Sequence, residues 1–147
     1  MNKKNKINIT FPDGKVLSYN TGVTCFEIAE SISQGFARNQ LIASLNNEIV
    51  DLSQKIKNDS NIMFYSWDSD IGKSVFWHST AHLMAEALES LFSNIKFGIG
   101  PPIENGFYYD VDFGKNEFKD EDKVKLEKKI LELAKLKCDF NREEVSK

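Results

Sequence analysis

Val23-Thr24-Cys25-Phe26-Glu27-Ile28 decides the fold of the first part of this chain. A threonine followed three residues later by a glutamate is a capping box. The Thr24 hydroxyl can accept from the Glu27 amide, and the Glu27 carboxylate can reach back. Val23 and Ile28 stand where a hydrophobic staple would close over the turn. A short helix therefore starts here. Its spacing predicts that Cys25, Ile28, Ala29 and Ile32 face inward and that it ends near Gly35.

Strands are expected on both sides of this helix. Before it, Ile7, Ile9 and Phe11 alternate with polar residues, Pro12-Asp13-Gly14 is a turn, and Val16-Leu17-Ser18-Tyr19 follows, which is a hairpin pattern. After it come Leu41-Ile42-Ala43, Glu48-Ile49-Val50 and Ile62-Met63-Phe64-Tyr65, with turns at Asn46-Asn47 and Lys57-Asn58-Asp59. The order strand, strand, helix, strand, strand, strand predicts a ubiquitin-like β-grasp domain over residues 1–66. Such a unit offers no catalytic constellation here, so a binding or spacer role is its default.

Trp67-Asp68-Ser69-Asp70-Ile71-Gly72 is short and polar, and a second unit, 67–147, is expected beyond it, with a hinge near Asp68 to Gly72. Ser74 is a candidate N-cap for a helix running to about Phe92. Trp77, Ala81, Met84, Leu88 and Leu91 form its apolar stripe. His78-Ser79-Thr80-Ala81-His82 lies in this helix and holds both histidines of the chain. At a spacing of four they share one face, about 100° from the stripe. Two imidazoles so placed can bind a metal, position a water, hydrogen-bond a sugar hydroxyl, or cap a hydrophobic face without chemistry.

Lys96 to Ile103 reads as a strand whose end is distorted by Gly98, Gly100 and Pro101-Pro102. Asn105-Gly106 suits a type I′ turn, in which both central residues take positive φ. Phe107, Tyr109, Val111 and Phe113 then face one way, and Tyr108, Asp110 and Asp112 the other. Asp120-Glu121-Asp122 opens a last helix with acidic residues at its N-terminus. Leu126, Ile130, Leu133 and Ala134 give it an apolar face, and its lysines form a solvated outer face able to brush a phosphate backbone. The whole reads as α+β.

With 147 residues the chain suits one ordinary domain or two small ones. A net charge of -3 provides no global basic field, so RNA contact would need local lysine patches. Cys25 and Cys138 fit no metal or redox spacing and read as reduced thiols. There is no run of about 18 apolar residues, hence no expected membrane span. Met1-Asn2-Lys3-Lys4 is basic, but the alternating Ile7-Asn8-Ile9 after it is no signal core. The expected location is cytoplasmic.

These residues resemble those of a known family. His78-Ser79-Thr80-Ala81-His82-Leu83-Met84-Ala85-Glu86-Ala87 resembles the HSxxHLxxxA motif of the threonyl-tRNA synthetase editing domain. Gly100-Pro101-Pro102-Ile103-Glu104-Asn105-Gly106-Phe107-Tyr108-Tyr109-Asp110 looks like that domain's second signature, and the β-grasp unit is similar to the leading TGS domain of bacterial members. Alanyl-tRNA synthetases carry a related histidine motif, but no leading β-grasp and a different second signature.

The resemblance implies a tRNA partner, the threonine acceptor mischarged with serine, and hydrolysis of that ester. It implies His78, His82 and Tyr109 as the catalytic site residues, the histidines near the terminal ribose and attacking water, with Tyr109 opposite. Family members continue with a Cys-x-x-x-His motif, a class II core using ATP and zinc, and an anticodon-binding domain. Cys138-Asp139-Phe140-Asn141-Arg142 is not that motif. The chain thus reads as an N-terminal piece ending inside the editing domain, needing no cofactor itself, from a parent that dimerises through the missing domains. Two other readings stand beside it. One is a metal-dependent hydrolase with His78 and His82 as zinc ligands and a third from Cys or a carboxylate such as Glu86 or Asp110. The other is a β-grasp binding module without catalysis.

Overall fold

The computed structural model describes residues 5–138 and 145–146. The basic start and most of the charged tail lie outside them. Contacts divide the chain into two compact units, 1–76 and 77–147.

The first unit is built on a five-stranded sheet of β1 (Lys6–Thr10), β2 (Val16–Asn20), β3 (Gln40–Leu45), β4 (Glu48–Val50) and β5 (Ser60–Ser66), in the order β2-β1-β5-β3-β4. The outer pairs are antiparallel and the central β1–β5 pair is parallel, which is the β-grasp arrangement. Gly14 takes φ 84° in the first hairpin turn. Asn46 and Asn47 take φ 50° and 70° in the second, where Leu45 pairs with Glu48. Asparagine tolerates this left-handed backbone, so the two-residue loop needs no glycine.

α1 (Cys25–Ile32) begins as its sequence demands. The Glu27 amide donates to Thr24 Oγ1 (3.1 Å) and the Thr24 amide donates to Glu27 Oε2 (2.7 Å). Ile7, Ile9, Cys25, Ile28, Ala43, Ile56 and Ile62 form the core, with Val23 packed on it. Two expectations about this helix need correcting. It ends at Ile32, because Ser33 caps its C-terminus and starts a second helix, α2 (Gln34–Asn39), by accepting from the Phe36 amide. Ile32 itself is 47% exposed. It lines an open apolar hollow with Phe36 and Met63 instead of entering the core.

α3 (Asp70–Leu91) starts earlier than the sequence suggested. Ser74 lies inside it, and Ser69 does the capping: its Oγ accepts from the Gly72 amide (3.0 Å) and donates to the Ser66 carbonyl (2.8 Å). Gly72 is buried against that same carbonyl, where a Cβ would collide with backbone. Trp67 meets Phe76 edge-on at 5.0 Å. These contacts hold the first turns of α3 to the end of β5, which is why the division falls within the helix, between Phe76 and Trp77.

In the second unit, Ala81, Ala87 and Leu88 of α3 are buried, Trp77 and Met84 are half-buried, and Leu91 is exposed. The expected long strand from Lys96 is two short ones, β6 (Lys96–Phe97) and β7 (Pro102–Ile103), because the Gly-Pro-Pro segment interrupts the ladder. β6 pairs with β9 (Val111–Asp112), and β7 with β8 (Gly106–Phe107). Ile103 pairs with Gly106, so the turn centres on Glu104-Asn105, one residue earlier than expected. Of this group only Gly106 has positive φ (145°), and the loop is not type I′. Phe107, Tyr109, Val111 and Phe113 are half-buried while Tyr108, Asp110 and Asp112 are exposed, as the alternation predicts.

Phe92, Phe113 and Phe118 cluster at 5.3 to 6.0 Å and pin the end of α3 to the segment before α4 (Asp120–Leu136). Leu126, Ile130 and Leu133 are half-buried on α4, but Ala134 is exposed. Asp122 accepts from the Lys119 amide and from Lys125 Nζ at the helix start.

Candidate functional site

The helical spacing of His78 and His82 does what the sequence requires. Both are exposed, on the flank of the face that buries Ala81. Their rings lie 4.7 Å apart at 61°, with Nε2 of one 2.9 Å from Nε2 of the other. A bond between two ring nitrogens needs one N–H donor and one lone pair, so at least one imidazole is neutral in this arrangement. The pair forms a linked donor and acceptor at the surface. That is suited to holding a water or hydroxyl, which can insert by replacing the internal bond on both sides.

Trp77, the residue before the first histidine, has its ring 6.2 Å from that of Phe107, which brings the end of β8 beside the histidine turn. Tyr109 stands two residues further on. Its ring meets Phe97 at 5.2 Å and 68°, and it lies against Gly100. With Asp110 and Asp112 it lines an open groove of about 480 Å³ along β6 and β9. The structure thus joins His78 to His82. Among the described residues no hydrogen bond or ring contact links Tyr109 to either histidine.

Two carboxylates at helix starts, Glu27 and Asp122, are more acidic than usual. Glu27 is held below the usual range by the Thr24 amide and hydroxyl, and Asp122 by Lys125 and the Lys119 amide. Burial pushes the Cys25 thiol up to about 11, which suits a core residue and not a nucleophile. The described residues contain no group of three His, Cys, Asp or Glu side chains arranged to hold a metal, and Glu86 and Asp110 do not complete one with the histidines. No described helix is long and apolar enough to cross a membrane.

Sequence reasoning missed Gly98 and Gly100 as partners of the aromatic strand. A Cβ on Gly98 would lie 3.0 Å from the Asp110 Cβ, and one on Gly100 would lie 2.5–2.8 Å from the Tyr109 ring. A Gly-x-Gly run opposite an alternating aromatic strand was the available signal.

Comparison with known proteins agrees with this architecture. A family model described as TGS domain matches residues 7–65, so the β-grasp unit is a TGS domain. Nearly all of the chain is similar to threonine–tRNA ligases. It is 55% identical over 141 residues to that of Cytophaga hutchinsonii, 50% to that of Phocaeicola vulgatus, and 48% over 142 residues to that of Porphyromonas gingivalis. Each match takes in 96% of this chain and 22% of the relative, so the chain spans about a fifth of the length of these ligases.

Proposed function

We propose that this chain serves threonine–tRNA ligation as the TGS domain and part of an editing site, which hydrolyses the ester joining serine to a threonine-accepting tRNA. The observation that carries the reading is the His78–His82 pair, linked at 2.9 Å on an exposed helix flank in a chain related to those ligases. The need for such a site is physical. A synthetic pocket that bonds the threonine hydroxyl rejects serine only through one missing methyl, worth about 1–3 kcal/mol.

In this reading, the ribose 2′-hydroxyl and a water displace the bond between the two imidazoles. One ring donates to an oxygen, and the other accepts a proton in a hydrogen bond. Water then adds to the ester carbonyl, the bond to the ribose oxygen breaks, and that oxygen takes up a proton. The Tyr109 side chain lines the groove along β6 and β9, and in this reading its O–H donates to a substrate oxygen. The reading makes no use of a bound metal, and the partner is tRNA.

The test uses the purified chain, seryl-tRNA, and a non-hydrolysable 3′-seryl-amide of adenosine. Titration with the amide is expected to move the ring signals of His78, His82 and Tyr109. Deacylation of seryl-tRNA is expected to be slow and to fall to the buffer rate in a His78→Ala, His82→Ala double variant. Both side chains are exposed, so that variant should keep its stability within about 0.5 kcal/mol. Rapid deacylation that survives in the double variant, or an amide that perturbs none of the three residues, would overturn the reading.

A further inference from the structure

We propose that Gly100 is a positioning residue of this site: its bare Cα seats the Tyr109 ring and so fixes where the tyrosine hydroxyl is presented. The proposal rests on the reading that Tyr109 lines the editing pocket.

Glycine at this position is not required by the backbone. The glycines with positive φ are Gly14, Gly22, Gly106 and Gly114 among the described residues, and Gly100 is not one of them. It precedes Pro101, which biases it towards extended conformations that any residue adopts. What demands glycine is space. An added Cβ would sit 2.5, 2.6 and 2.8 Å from three ring carbons of Tyr109, closer than carbon atoms approach without displacement.

The ring has no simple way to retreat. The ladder that pairs Lys96 with Asp112 and Phe97 with Val111 continues through the Gly98 amide donating to the Asp110 carbonyl (2.8 Å) and the Asp110 amide donating to the Ile99 carbonyl (3.0 Å). These bonds hold the backbone of Asp110, and with it the neighbouring Tyr109, beside Gly100. Phe97 meets the same ring at 5.2 Å. A methyl group at 100 must therefore rotate the tyrosine or part the two segments, and either moves the hydroxyl.

The experiment compares the complete chain with Gly100→Ala, Tyr109→Leu and Gly114→Ala. The last strains a left-handed glycine (φ 58°) away from Tyr109 and controls for lost stability. Proton NMR reads the seat directly: Gly100 Hα signals should lie upfield in the wild type, from the ring current of Tyr109, and return downfield in Tyr109→Leu. Titration with the 3′-seryl-amide of adenosine reads the consequence. Gly100→Ala should weaken binding roughly tenfold or more, as a displaced contact group does, and Gly114→Ala should leave it unchanged. Gly100 signals indifferent to Tyr109→Leu, or Gly100→Ala binding like the wild type or no worse than Gly114→Ala, would overturn the proposal while the editing reading stands. An amide that does not bind the wild type would overturn the editing reading, and the positioning role with it.

Discussion

Thr24 and Glu27 show how much one reciprocal pair of residues contributes. The Thr24 hydroxyl satisfies an amide left open at the start of α1, and the Glu27 carboxylate satisfies another. Thr24→Ala should cost about 1 kcal/mol in urea denaturation. The pair also sets a pH dependence. Glu27 and Asp122 are both more acidic in the folded chain, so at a given low pH the folded state binds fewer protons than the unfolded one. Their contribution is complete above the ordinary carboxylate range, near about pH 4, and is lost as pH falls through the lowered folded values. Lys125 is raised by Asp122, so its contribution is lost at the alkaline end, as pH rises through the folded value. Denaturation midpoints should fall on acidification. The fall should be slightly smaller in Thr24→Ala, which removes the hydroxyl bond to Glu27 but keeps the larger cause of its shift, the bond from the residue-24 amide. An unchanged acid limb in that variant would contradict this account.

At the scale of the element, α3 matters most, because one helix carries both a packed start and the histidine pair. Its beginning is not legible in the sequence. Ser74 has the right chemistry for a cap, but so does Ser69, and only the nearby Ser66 carbonyl selects between them. Gly72 is the cost of that packing: inside a helix glycine is unfavourable, yet here no larger residue fits against β5. Gly72→Ala should therefore destabilise the chain, by about 1–3 kcal/mol, despite alanine's better helix propensity. It should also disturb the edge-on Trp67–Phe76 contact, visible as a change in tryptophan fluorescence. A variant more stable than the wild type would show that the helix start is not held as described.

For the whole molecule, the two units differ in what they present. The first has a closed hydrophobic core and no catalytic constellation among its described residues. The second has its titratable pair on an exposed flank and its tyrosine in an open groove. No segment of this sequence resembles an ATP site or a threonine pocket, and the chain amounts to about a fifth of its ligase relatives. The chain by itself is expected to catalyse no threonine-dependent exchange between ATP and pyrophosphate. Exchange above the blank would mean that a site for activating the amino acid had been overlooked.

The sequence by itself determined whatever depends on neighbours along the chain. The capping box, the hairpin turns, the alternation from Phe107 to Phe113 and the one-turn spacing of His78 and His82 all act within a few residues. Backbone periodicity alone carries them. Tertiary structure decided what depends on distant partners. Ile32 turned to a surface hollow because Phe36 and Met63 lie there, and α2 formed because Ser33 could end one helix and begin the next. The turn after Ile103 shifted by one residue because strand pairing, not turn preference, set its register. The nearness of Gly100 to Tyr109, nine residues apart, was equally illegible, since it arises where the segments after β6 and before β9 come side by side. A glycine's need for space is visible only once its neighbour is in place.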